Sequence, residues 1–267
     1  MTATTAHLGE PIAHGRTADV YAWKERWVLK LFHEGHTPQD VQHEARIARA
    51  VHRAGLPVPA VGQVVETQGR PGLVYERIDG LSMLEEIETQ PWKVLSSARL
   101  LAELHIGVHS REVAVQLPSQ REQLARKIQQ ARGLGAKLQE TGLKNLEGMP
   151  GGDRLCHGDF HPGNVIVSSR GPVIIDWIDA TVGNPLADVA RTSVIMLGVR
   201  GTEQAPWSQR MVVRWYHRIY LIHYLRLASR GAEEHTAWYP IVAAARMSEG
   251  ITEIEDWLLA QVRAGLR

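Results

Sequence analysis

Asp159, Asn164 and Asp176 combine residue types and spacings that suit phosphoryl transfer. Asp159 and Asn164 lie five positions apart in the string His157-Gly158-Asp159-Phe160-His161-Pro162-Gly163-Asn164, and Asp176 follows twelve positions later in Ile175-Asp176-Trp177. A positioned aspartate can accept the proton of an attacking hydroxyl. An amide oxygen and a second carboxylate suit Mg2+, a hard cation that keeps waters and phosphate oxygens as its remaining ligands. An isolated Asp-x4-Asn is more often an ordinary turn. Here the flanking histidines, proline and glycines and the downstream Ile-Asp-Trp favour chemistry.

The same reaction needs a cation for the phosphates and a carboxylate to hold that cation, and kinases draw them from a strand lysine and a helix glutamate. Both residue types occur upstream. In Val28-Leu29-Lys30-Leu31-Phe32 the strand alternation puts Val28, Lys30 and Phe32 on one face, so that an apolar side chain can touch adenine while Lys30 reaches the phosphates. Glu44 shares a helical stripe with Val41, Ala48 and Val51, and a carboxylate in an apolar stripe requires a cation. Lys30 is the expected partner.

The elements that must carry these groups read as follows. Val20–Trp23 and Trp27–Phe32 form a hairpin around Lys24-Glu25-Arg26. Thr37-Pro38-Gln39-Asp40 starts a helix, with Thr37 as N-cap and Asp40 completing a capping box, and the helix runs to about Arg53. Val61–Val65 and Leu73–Glu76 form a second hairpin. After Asp79-Gly80 the period becomes helical, with helices expected over Ser97–His109, Gln120–Ala136, Ser208–Arg230 and Trp238–Arg263. The polar loop 157–164 sits between two short apolar strands, read as one rigid hairpin. The chain is therefore expected to be α+β, with a strand-rich part at 1–78 and a mainly helical part at 79–267.

Asp159, Asn164 and Asp176 have the spacing of the protein-kinase catalytic loop and its second metal carboxylate. Over nearly the whole chain, the sequence resembles the aminoglycoside phosphotransferase and choline-kinase-like family of small-molecule kinases. The specific motifs are His157–Asn164, Ile175-Asp176-Trp177-Ile178-Asp179-Ala180 and Gly183-Asn184-Pro185-Leu186-Ala187-Asp188-Val189-Ala190. The resemblance implies a two-lobed protein-kinase-like fold, ATP and Mg2+ as cofactors, Asp159 as catalytic base and Asn164 and Asp176 as metal ligands. It also implies that Asp188 steadies the catalytic loop and that Glu76-Arg77-Ile78 is the hinge meeting adenine, with Glu76 and Ile78 at the nucleotide. The phosphate-covering turn Gly15-Arg16-Thr17-Ala18-Asp19-Val20 keeps one glycine of the protein-kinase pattern, and Thr17 is its candidate phosphate contact.

The acceptor is expected to be a hydroxyl of a small molecule such as an aminoglycoside, amino alcohol or sugar. Protein kinases carry an arginine where this chain has Gly158, and only eight residues separate Asp176 from Pro185, too few for a peptide-docking activation segment. A protein kinase or a nucleotide-binding pseudokinase are the competing classes. Trp207, Trp215, Tyr216, Tyr220, Tyr224, Trp238, Tyr239 and Trp257 crowd the C-terminal helices, where the spacing of Trp215, Ile219, Ile222 and the neighbouring aromatics suits a core face better than a cage for a cationic amine. Glu249, Glu253, Glu255 and Asp256 suit a polycation or a solvated face. His105 and His109 read as packing or capping residues, His157 and His161 as shapers of the catalytic loop and Cys156 as a small buried residue.

Composition narrows the partners. Thirty Lys plus Arg nearly balance 29 Asp plus Glu, which gives no field for nucleic acid or a membrane surface. A single cysteine excludes an intrachain disulfide framework and suits a reducing compartment. The Met1–Leu8 stretch has no basic or apolar leader character, and no run of 18 apolar residues occurs. A cytoplasmic protein with no obligate protein partner is expected.

Overall fold

The computed structural model describes residues 2–3, 8–15, 17–111, 117–201 and 206–266. Arg16 of the phosphate-turn motif and most of the N-terminal leader reading lie outside them. In chain order the strands are β1 (Thr2–Ala3), β2 (Ala13–His14), β3 (Ala18–Lys24) and β4 (Trp27–Phe32), then helix α1 (Pro38–Arg53). Next come β5 (Val61–Thr67), β6 (Arg70–Glu76), β7 (Gly80–Ser82), α2 (Met83–Thr89), α3 (Val94–His109), α4 (Gln120–Gln130) and α5 (Ala136–Gly148). The chain continues through β8 (Arg154–Cys156), β9 (Val165–Ser168), β10 (Gly171–Ile174), β11 (Thr181–Gly183), α6 (Pro185–Gly201), α7 (Trp207–Ala228), α8 (Ala232–Arg246) and α9 (Glu255–Gly265).

The described residues fall into two units, one made of those up to Ser82 together with Val165–Ile178, the other of those in Met83–Glu112, Gln116–Asn164 and Asp179–Arg267. The first unit extends past residue 78 because β7 pairs with β9, Gly80 opposite Ser168 and Ser82 opposite Ile166. Its main sheet has the order β1-β5-β6-β4-β3-β2, antiparallel except for β1 beside β5. Alternation along β4 divides the sheet faces. Leu29 and Leu31 pack with Val65 and Val74 on one, and Phe32 packs with Leu73, Val41 and Ala45 on the other, where α1 lies. Helix α1 starts as its sequence dictates: Asp40 N donates to the Thr37 hydroxyl (3.3 Å), Thr37 N donates to the Asp40 carboxylate (2.8 Å) and Pro38 occupies the first turn.

In the second unit, two helices expected as single runs are broken. Gln120–Ala136 ends at Gln130, passes through a 3-10 turn and restarts at Ala136 after Gly135, whose φ of +71° no helix accommodates. Trp238–Arg263 breaks at Gly250, φ +62°, and resumes at Glu255. The expected hairpin around the polar loop is also corrected. Strand β8 pairs with β11 and strand β9 with β10 and β7, so the two strands flanking the loop belong to different sheets. Among the described residues, no helix is long and apolar enough to cross a membrane.

Candidate active site

In the first unit, Lys30 stands on the same face of β4 as Phe32, its Nζ 5.2 Å from the ring centre. The ammonium donates to both Glu44 oxygens (2.9 and 3.2 Å) and to Asp176 Oδ1 (2.9 Å). Glu44 has no exposed surface, and the Tyr75 hydroxyl donates to it at 2.7 Å. Burial alone would drag the Lys30 ammonium down, but Glu44 and Asp176 outweigh it and hold the ammonium above its ordinary range. The Tyr75 phenol is pushed up by burial and by the charge of Glu44, so it stays a donor. Asp176 follows the last residue of β10 by two positions and has a φ of +64°, a left-handed conformation that costs a non-glycine residue strain.

The other residues assigned to the nucleotide from the sequence have these placements. The Thr17 carbonyl accepts from His33 N (2.9 Å), and Gly15 N donates to the Ala18 carbonyl (2.9 Å), closing the turn on itself. The Glu76 carboxylate accepts from Ala60 N (3.2 Å) and Arg170 (2.8 Å), which ties it to the neighbouring backbone and β-hairpin. Arg77 N donates to the Arg26 carbonyl (2.9 Å), and Ile78 is half-buried in the extended stretch that follows.

In the second unit, the loop 157–164 is built around Asp159. Asn164 Nδ2 donates to the Asp159 carbonyl (2.8 Å) and carboxylate (3.1 Å), so the amide oxygen of Asn164 takes no part in these two bonds. His161 Nε2 lies 3.7 Å from one Asp159 oxygen and an Arg191 amine 3.9 Å from the other. Burial would raise the Asp159 carboxyl, but His161 and Arg191 override it and hold the group well below the usual carboxylate range. The His157 ring accepts from Asp159 N (3.2 Å), and the His161 ring accepts from Gly163 N (3.1 Å), so each histidine shapes the loop. Cys156 is buried, and burial pushes its thiol up and out of nucleophilic range.

Asp188, in the first turn of α6, fixes this loop from behind. Its oxygens accept from His157 N (2.7 Å) and Gly158 N (2.8 Å), and His105 and His109 each donate an Nε2 hydrogen to it (3.0 and 3.2 Å). Those rings in turn accept from the hydroxyls of Tyr220 and Tyr224, both at 2.6 Å. Every polar atom of the His–His–Asp group thereby has a partner from the chain itself. The core face of α7 is accordingly Tyr216, Tyr220 and Tyr224, the aromatics of the expected core, while Trp215 is 62% and Ile222 55% exposed, which corrects the expectation for those two. A phenol buries its ring and still offers its hydroxyl to a buried histidine, which an isoleucine cannot do.

A family model described as phosphotransferase enzyme family matches residues 9–228. The chain belongs to that family. Among curated proteins, none matches this chain. Solved structures similar to it share its kinase-like α+β fold. A thermostable mutant of aminoglycoside phosphotransferase APH(4)-Ia in apo form has a TM-score of 0.69 at 16% identity, covering 99% of this chain and 95% of that one. The same enzyme in ternary complex with AMP-PNP and hygromycin B has a TM-score of 0.67 at 17% identity, covering 97% and 92%. A choline/ethanolamine kinase family protein from Mesorhizobium loti has a TM-score of 0.55 at 16% identity, covering 97% and 88%.

Two residues of the site's local geometry are not legible as site residues in the sequence. Tyr75 was one apolar-looking residue of a strand, though its register two positions beyond Leu73, on the face of Lys30, signals proximity to Glu44. Arg191, three residues after Asp188, is buried and donates to the Gly158 carbonyl (3.0 Å). An arginine amid the apolar residues of a helix is the signal that was available.

Proposed function

We propose that this chain transfers the γ-phosphoryl group of magnesium-ATP to a hydroxyl of a small molecule. The observation that carries the reading is the Asp159 carboxylate: ionised, partly exposed and held from both its backbone and its side chain by Asn164. Such a group orients an attacking hydroxyl and accepts its proton late in a largely dissociative transfer. Lys30 serves as the phosphate cation, preset by Glu44, and on nucleotide binding its ammonium exchanges Asp176 for phosphate oxygens. The donor set fits the metal, since Asp176 and the Asn164 amide oxygen are both hard oxygen ligands. Asp176 and Asn164 would hold the magnesium, which would supply neutralisation of the phosphate charge. Thr17 and the backbone about Glu76 and Ile78 complete the nucleotide contacts in this proposal.

A small acceptor is supported by the chain after Asp176, which enters β11 at Thr181 and α6 at Pro185 without a segment long enough to dock a peptide. ATP as donor is supported by the relative bound to AMP-PNP and hygromycin B, and dependence on ATP suits a cytoplasmic location. Radiolabelled ATP supplied with amino alcohols, aminoglycosides, macrolides, sugars and proteins provides the test. Magnesium-dependent labelling of a small alcohol is expected. Labelling of proteins alone would sink the small-molecule reading, and nucleotide binding without transfer to any acceptor would make the chain a pseudokinase.

A further inference from the structure

The second unit surrounds Asp159 with charges of alternating sign. Glu249, a member of the acidic C-terminal group, is not solvated: its side chain is 8% exposed and meets Arg191 at 2.5 Å, Arg246 at 3.6 Å and Lys127 at 3.9 Å. Lys127 also meets Asp179 at 3.3 Å, and Gln123 donates to the same carboxylate at 3.4 Å. Asp179 lies against Gly158, the residue before Asp159. Three carboxylates, Asp159, Asp179 and Glu249, thus face three cations, Arg191, Lys127 and Arg246, and their charges cancel. A small cavity of about 30 Å³ opens among Gln123, Lys127, Gly158 and Arg191, room for about one or two waters.

We propose that Lys127 is a specificity-determining residue that reserves this site for uncharged or anionic alcohols and excludes oligocationic amines. The proposal rests on the reading of Asp159 as the group that meets the acceptor hydroxyl. Asp179 and Glu249 are the carboxylates best placed to receive an acceptor's ammonium groups, but Lys127 already pairs with Asp179 at 3.3 Å, and Glu249 is held by Arg191 with Lys127 at 3.9 Å beyond it. An incoming ammonium must displace a tethered lysine or sit beside it, and like charges at such range repel. The remaining acidic residues of this group, Glu253, Glu255 and Asp256, are exposed and surrounded by water, where they attract a polycation only weakly.

Calorimetric titration of the full chain with gentamicin, used as an oligocationic probe, tests the proposal without requiring turnover. The wild-type chain should show no saturable binding at millimolar gentamicin. Lys127→Gln should gain at least a tenfold increase in affinity, suppressed by added salt, and a second change, Asp179→Asn, should abolish the gain. Thermal melts of each variant establish folding, and should Lys127→Gln not fold, the wild-type titration and a gentamicin phosphorylation assay decide alone. Tight binding or phosphorylation of gentamicin by the wild-type chain would overturn the proposal, as would a folded Lys127→Gln protein with no gain. ATP binding measured in parallel reports separately on the kinase reading, because loss of nucleotide affinity leaves the charge-selectivity result intact.

Discussion

A carboxylate kept below its usual range is a poor base in the ground state, so Asp159 is better suited to hold a hydroxyl in line than to remove its proton early. Asp159→Asn keeps the shape and removes the charge. It should lower kcat by about 10²- to 10⁴-fold while sparing magnesium-ATP affinity, which steady-state kinetics and nucleotide titration on one preparation will resolve. Near-normal turnover would contradict its central role. Asp176→Ala should instead abolish the enhancement of ATP binding by magnesium, read by calorimetry with and without the metal, and an undiminished enhancement would remove Asp176 from the metal site. At this scale the sequence was informative wherever function demands a residue type at a fixed spacing. It separated Lys30 and Glu44 from ordinary surface charges because two weak signals agreed, and the Lys30–Glu44 pair is found at 2.9 Å. Arg191 and Tyr75 were hidden because their partners lie far along the chain, 31 residues from Tyr75 to Glu44 and 33 from Arg191 to Gly158.

Elements whose ends are written in local chemistry were legible, and α1 is the clearest. Its reciprocal Thr37 and Asp40 hydrogen bonds involve residues three apart, so short-range sequence contains the whole device. Thr37→Ala should cost about 1 kcal/mol of stability, seen as a lower urea midpoint with an unchanged m-value, whereas Thr37→Ser should cost a few tenths or less. If Thr37→Ala left the midpoint in place, the cap would be ornamental to the fold. Breaks at Gly135 and Gly250 were less legible because helical periodicity persists across them, and a glycine inside a periodic run is often tolerated. The face of α7 was misread at Trp215 and Ile222 for a different reason. Three tyrosines four apart and a neighbouring apolar stripe both have helical spacing, and only the buried Ser97, His105 and His109 on α3 select the tyrosines.

Across the molecule, several histidines are buried or half-buried as neutral rings, and this sets a pH limit on the folded state. Burial pushes His217 and His235 down to about 4, His217 further through the charge of His235, and burial followed by the charge of His109 pushes His105 down to about 3. An unfolded histidine titrates near 6.5. Between about pH 6.5 and pH 4 the unfolded chain therefore binds protons that the folded chain refuses, and stability must fall as pH falls through that window. Each such ring contributes on the order of 1 kcal/mol per pH unit within it. Urea midpoints measured from pH 7.5 to 4.5 should be flat above pH 7 and decline below it, with a shallower decline in His235→Gln. A level profile down to pH 4.5 would show that these rings accept protons without loss of packing.

Gly158 is held to glycine by the backbone around it. Its φ is +80°, and a Cβ placed there would lie 2.3 Å from the Asp179 carbonyl oxygen. Every mutation away from glycine at this position, arginine included, meets the backbone before it can meet a phosphate. A single base change can turn a glycine codon into an arginine codon, yet the loop has no room for the side chain, so a phosphate-sensing arginine at this position is closed off by the backbone and not by the genetic code.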